Sequence, residues 1–174
     1  MNYTNPKLEL VIAYVNVLAD CDSWENKYLT AQNNLSSANA SYKRLSDVLD
    51  KMMLKTPILA TNIEVRDYNG SYGSTINHAT TTYMTPKATF ISNSDISNKT
   101  IYVKMYSNGT LRTGDTSPKG YSYSDNISLT KYQPEEIEFT GWGNDIKGNW
   151  PAGTHRVEFW ADGECIGSKT FTIK

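Results

Sequence analysis

With 174 residues, 17 basic against 18 acidic side chains and a net charge of −1, the chain has room for one medium domain or a small domain with an appendage. Balanced charge excludes the clustered Lys/Arg that counterion displacement on nucleic acid requires, and no apolar run approaches the ~18–20 residues of a membrane helix. Two cysteines and two histidines are too few for a disulfide scaffold and leave little for metal or acid–base chemistry, so no cofactor is expected.

The chain changes character near residue 55. Before that point there is no glycine and the only proline is Pro6; all 11 glycines and the other prolines follow. Helix interiors expel both residues and turns collect them. The reading is a helical oligomerisation region over 1–55 and a β domain over 56–174.

Asn5 and Pro6 form a helix start, with the Asn side chain as cap and proline at the first helical position. From there Leu10, Tyr14, Val17, Cys21, Trp24, Tyr28, Ala31, Leu35, Ala38, Tyr42, Leu45, Leu49 and Met52 follow at alternating steps of four and three. An unbroken 4–3 run of this length predicts a coiled-coil seam. A helix of ~43 residues would be ~65 Å long, more than a small β domain can cover, so a partner helix is expected. The expected partner is a second or third copy of the chain, as dimer or trimer, in an assembly protein that displays β-sandwich heads; the alternative is an intracellular adaptor whose helix pairs with a different protein. Flanking positions such as Gln32, Asn34, Asn39, Ser41 and Ser46 are mostly uncharged, and only Asp20, Glu25 and Lys27 offer ion pairs, so partner choice rests on shape more than on charge. A second reading also stands: Asp20-Cys21-Asp22-Ser23 breaks the helix, and Asp22 or Ser23 caps the second arm of a hairpin.

From Thr56 the period becomes two. Ile63 and Val65 alternate with Glu64 and Arg66, and Ile101, Val103 and Met105 with Tyr102, Lys104 and Tyr106. Ile137 and Phe139 alternate with Glu136 and Glu138, and Val157 and Phe159 with Arg156, Glu158 and Trp160. Strands with one wet face read this way. Asn69-Gly70, Asn108-Gly109 and Asp162-Gly163 are tight-turn dipeptides. With runs near 81–91 and 122–129, about seven or eight strands are expected. The fold class is therefore a long N-terminal coiled-coil helix followed by an all-β antiparallel immunoglobulin-like sandwich.

The residues Tyr121-Ser122-Tyr123-Ser124, Thr140-Gly141-Trp142-Gly143-Asn144, Lys147-Gly148-Asn149-Trp150-Pro151-Ala152-Gly153-Thr154 and Val157-Glu158-Phe159-Trp160 carry a resemblance. So do the entry Ile63-Glu64-Val65 … Gly70-Ser71-Tyr72-Gly73-Ser74-Thr75 and the ending Gly163-Glu164-Cys165-Ile166-Gly167-Ser168-Lys169-Thr170-Phe171-Thr172-Ile173. Together they resemble a recurrent C-terminal domain of Bacteroidetes-type bacteria and their phages, over roughly 56–174. The family pattern often has Glu-Ile-Trp-Tyr where this chain has Glu158-Phe159-Trp160-Ala161. The resemblance implies a domain that follows a coiled coil and is not secreted. It implies no activity and carries over no catalytic or binding residues. With no basic-then-apolar leader after Met1, synthesis in the cytoplasm is expected, with incorporation into a virion as one destination.

Catalytic chemistry finds few carriers. His155 reads as a strand residue and His78 as a loop residue, and neither accompanies a nucleophile elbow. Glu135, Glu136 and Glu138 could supply the carboxylate pair of a glycosidase, although alternation makes Glu136 and Glu138 the wet face of a strand. Cys165 reads as a small apolar strand residue, and Cys21 lies on the seam. The expectation is a non-enzyme. Tyr121, Tyr123 and Trp150, in or beside Gly-rich connections, are either a surface for another protein or a glycan, or closures of the sandwich core. Trp142 reads as core.

Overall fold

The computed structural model describes residues 6–53, 56–73 and 75–174. Asn5, the expected cap, lies outside the described residues, as does the side chain of Met52. The chain divides into two compact units, one through Val48 and one from Leu49 to Lys174.

The first unit is formed by helix α1, Pro6–Met52, of 47 residues, whose last turn passes into the second unit. It runs through Asp20–Ser23 without a break, so the hairpin alternative does not occur. Neither Asp22 nor Ser23 caps anything, because the i→i−4 hydrogen-bond ladder is already continuous there. No helix among the described residues is long and apolar enough to cross a membrane.

Among the described residues, the second unit has nine strands: β1 (Ile58–Asp67), β2 (Tyr83–Ser92), β3 (Ile96–Ser107), β4 (Thr110–Leu111), β5 (Tyr123–Leu129), β6 (Glu135–Glu138), β7 (Trp142–Gly143), β8 (Gly153–Ala161) and β9 (Glu164–Ile173). One sheet has the order β1-β2-β6, with β7 also on β2; the other has β4-β3-β8-β9, with β5 also on β3. All these pairings are antiparallel, and the strand order is that of an immunoglobulin-like sandwich. Phe90 of β2, Phe139 after β6 and Phe159 of β8 join the sheets, with ring centroids 4.9–5.6 Å apart. Around them pack Ile58, Met84, Ile101, Val103, Met105 and Val157.

Two of the three turn dipeptides form tight hairpins. Asn108 and Gly109 (φ 47° and 83°) join β3 to β4, and Asp162 and Gly163 (φ 51° and 82°) join β8 to β9. Asn69-Gly70 instead opens a longer connection, in which Gly70 N–H donates to Asp67 O at 2.8 Å. Asn62 (φ 47°) sits in a bulge of β1. The extra residue reverses the inward phase, so Ile58 and Ala60 before it and Ile63 after it are all buried.

The last turn of α1 groups with the strands. Tyr132 Oη donates to Asp50 Oδ1 at 2.9 Å, and Met53, just past the helix, is buried.

Candidate interaction surfaces

On the helix, the large seam residues Leu10, Tyr14, Val17, Trp24, Tyr28, Leu35, Tyr42 and Leu45 are 58–73% exposed. Cys21, Ala31 and Ala38 between them are exposed too, whereas Leu49 is half-buried and belongs to the β unit. Val11, Val15, Leu18 and Leu29 broaden the apolar stripe toward the N-terminal half. Local contacts hold some side chains along the rod. Gln32 Nε2 donates to Tyr28 Oη at 2.7 Å, and Lys27 Nζ lies 4.9 Å from the Trp24 ring centre.

The three loop aromatics separate. Trp150 is not a surface residue: it is fully buried, which corrects its candidacy for partner binding. Its backbone N–H donates to Thr81 Oγ1 at 3.3 Å, and Thr81 Oγ1 donates to its carbonyl at 3.2 Å. Its ring meets Trp142 edge-on at 5.8 Å and His155 at 5.6 Å, and the Arg112 guanidinium lies 5.1 Å from its centre. The Gly-Trp-Gly spacing has a steric cause. A Cβ on Gly141 (φ 87°) would stand 2.7 Å from Met84 O, and one on Gly143 would overlap Thr82 O. Only glycines let Trp142 pair with Met84 of β2 at that point.

Tyr123 is also corrected to a core-lining residue. Alternation along β5 puts it on the same inward face as Ile127 and Leu129, and its ring packs against the core. Its hydroxyl is turned into the protein, where burial and then the Asp125 charge push its pKa well up.

Tyr121 remains half-exposed, on the outer face of the β3–β8 sheet. Its ring stacks on Tyr102 at 4.6 Å and meets Trp160 edge-on at 6.3 Å. Lys104 Nζ lies 3.8 Å over Trp160 and 5.0 Å from Tyr121. Glu158 ties the lower part of this face, accepting from Trp160 Nε1 at 2.9 Å and pairing with Arg156 at 2.9 Å. Arg156 in turn stands 4.4 Å over Tyr106, whose pKa is raised by burial and by the Glu158 charge. Tyr102 and Trp160 were not singled out as surface candidates from sequence. Their signal was outward alternation with aromatics, and cross-strand pairing of Tyr102 with Trp160 joins them. Cys165, opposite Trp160, is exposed rather than a core residue.

Glu136 and Glu138 of β6 lie on the outer face of the other sheet, whereas Glu135 shares the phase of Ile137, which packs against the core. Glu138 pairs with Arg66 at 2.8 Å and accepts from Tyr72 Oη at 2.9 Å. Glu136 and Glu64 share Lys87 at 3.1 and 3.2 Å. Glu135 Oε1 accepts from Thr130 N–H at 3.3 Å. Arg66, then Tyr72, hold Glu138 below the usual carboxylate range, whereas the acid role in glycoside hydrolysis asks for a raised one. His155 is buried in β8 with Nε2 2.9 Å from Pro151 O, and burial lowers its pKa. Among the described residues, no group of three His, Cys, Asp or Glu could hold a metal ion.

No protein-family model matches the chain, and no curated protein does. Among solved structures, a GH3 β-glucosidase from Bifidobacterium adolescentis is similar over 67% of this chain and 17% of its own, at 15% identity and a TM-score of 0.37. The chain thus spans about a sixth of that protein's length. A likeness this partial carries no argument about activity.

Proposed function

We propose that this chain is a non-enzymatic assembly protein, in which α1 joins copies of the chain and displays their β-sandwiches. The observation that carries this reading is the open seam: eight large apolar side chains at heptad positions, each more than half exposed. Leaving such a stripe in water forgoes about 1.5–3 kcal/mol for each large side chain that could be buried, and coiled-coil pairing is the packing that heptad spacing serves. The resemblance of 56–174 to a domain of Bacteroidetes-type bacteria and their phages supports a virion accessory, decoration or fibre subunit as the setting. The Tyr102–Tyr121–Trp160 face supports a second role, attachment of the displayed sandwich to another protein or to a surface glycan, since aromatics on a rigid sheet give contact area at low entropic cost.

Light scattering on the full-length protein tests the assembly reading. More than one copy is expected, and the double variant Leu35→Asp/Leu45→Asp should fall to the monomer mass, because unpaired charges in a desolvated seam cost several kcal/mol each. A monomeric parent, or a double variant that keeps its parent's mass, overturns it. A glycan array reports on the second role.

A further inference from the structure

The seam mixes bulky aromatics with alanines, and this pattern distinguishes between the two ways of laying one copy on another. In a parallel, in-register pair each seam residue meets its own twin. Trp24 and Tyr28 would then meet their twins in adjoining layers, followed at once by Ala31 against Ala31 and, further on, Ala38 against Ala38. Two helices can hold only one interaxial distance, ~8–10 Å, over so short a stretch. A spacing set by tryptophan and tyrosine leaves voids at the alanines, and unfilled space in a packed seam is costly.

An antiparallel pair, symmetric about the peptide bond between Leu29 and Thr30, evens out the layers: no tryptophan or tyrosine meets its twin, no alanine meets an alanine, and only Cys21 with Ala38 is small on both sides. Tyr28 then meets Ala31 of the second copy, Cys21 meets Ala38, and Tyr42 meets Val17. The 4–3 spacing keeps every such pair within the seam, and Trp24 falls opposite Leu35.

Charge points the same way, independently of size. In a parallel pair the residue preceding one seam position faces the partner residue five places on. That sets Asp20 beside Glu25 of the second copy, twice per dimer, with like charges in contact. The antiparallel pair places Glu25 opposite Gln32 and Lys27 opposite Asn34, with no like-charged contact. Gln32 spends one amide hydrogen on Tyr28 Oη, and the other is left for the Glu25 carboxylate. Asp20, Glu25, Lys27 and Gln32 are all exposed on the single helix.

We propose that the partner covering the seam is a second copy of this chain running antiparallel, so that the dimer carries its two β units at opposite ends of the paired helices. This rests on the self-association proposed above. Cys21 supplies a native reporter. A parallel pair brings the two Cys21 thiols face to face in one layer. The antiparallel pair separates them by about 25 Å along the axis, from 1.5 Å per residue.

The experiment uses the full-length chain with Cys165→Ser, to leave Cys21 as the only thiol, and the same chain with Ala38→Cys added. Light scattering should give two copies. Mild oxidation should leave the first variant non-covalent and convert the second to a covalent dimer, in which the peptide containing Cys21 is joined to the peptide containing position 38. Spin labels on Cys21 of the first variant should report a separation of about 25 Å. A two-copy protein whose Cys21 thiols cross-link to each other, or whose labels lie under about 15 Å apart, overturns the orientation and leaves the assembly reading standing. A mass above two copies also overturns the antiparallel pair alone. A monomer overturns both, and assigns the seam to a helix from a different protein.

Discussion

The two units treat the same kinds of side chain in opposite ways. In the helix, Trp24, Tyr28 and Leu35 stand more than 60% exposed, while in the β unit Phe90, Phe159 and Trp150 are at 0%. The difference follows from how each element satisfies its backbone. A helix closes its hydrogen bonds within itself and can exist as a rod with one face open. A strand finds its partners only in neighbouring strands, so building the sheets also brings their apolar faces together. The β unit therefore completes its own core, and the helix leaves its apolar face exposed.

If the β unit is complete in itself, its stability resides in side chains such as Trp150. Trp150→Ala should cost about 3–5 kcal/mol in denaturant unfolding of the β unit, since it empties a fully buried site. A loss below about 1 kcal/mol would return this ring to the surface.

The border between the units can be sharpened by comparing fragments 49–174 and 56–174. The longer one retains buried Met53 and the Asp50–Tyr132 hydrogen bond. It should be more stable by about 2–3 kcal/mol, the value of one buried Met side chain and one net hydrogen bond. Equal midpoints and slopes in urea would instead place the border at the composition change near residue 55.

A smaller effect separates the units by pH. His155 lies in the β unit, and burial depresses its folded pKa below the ordinary 6.5. The unfolded chain then takes up the proton first. Stability is complete above that value and is lost as pH falls through the lowered folded pKa. The β unit should therefore lose melting temperature between pH 7 and pH 5, and His155→Gln should flatten that slope. An unchanged slope in the variant would assign the acid sensitivity to another group.

Smallest of all is the surface pair Arg66–Glu138. Glu138 is held low by Arg66 and Tyr72, so its contribution is present above the unfolded carboxylate pKa and disappears as pH falls through the folded one. At half-exposed positions such a pair is worth at most about 1 kcal/mol. Glu138→Gln should shift thermal unfolding at pH 7 only slightly, and should change nothing once the pH is below the folded pKa. A shift at pH 7 equal to that of Trp150→Ala would make this pair part of the unit's framework.

Much of this architecture was legible in the residues. Absence of glycine before residue 55, the 4–3 run from Leu10, alternation in β3 and β8, and the Asn108-Gly109 and Asp162-Gly163 turns all act locally, through backbone conformation and side-chain period. Helix continuity through Asp20–Ser23 is not legible in the residues, because short polar residues suit both caps and exposed helix positions. The surface candidates were only partly legible. Tyr121, Tyr123 and Trp150 are all aromatic in a Gly-rich neighbourhood, yet Trp150 is fully buried and Tyr123 packs against the core, while Tyr121 stacks on Tyr102 on the outer face. Tyr123 turns inward with the phase of β5, and Trp150 is drawn under Arg112 and against Trp142 and His155. Tyr102 and Trp160 become neighbours only when β3 pairs with β8.

By itself, then, the sequence determined the two kinds of region, the strand periodicity, two of the tight hairpins and the apolar stripe along the helix, since each depends on residues within a few positions of one another. Tertiary structure alone decided which aromatics are core and where the bulge at Asn62 reverses a strand's inward face. It also decided which carboxylates meet Arg66 and Lys87. Those outcomes depend on contacts between residues far apart in the chain, such as Arg66 with Glu138 or Thr81 with Trp150, which exist only once the sheets have paired and closed over a common core.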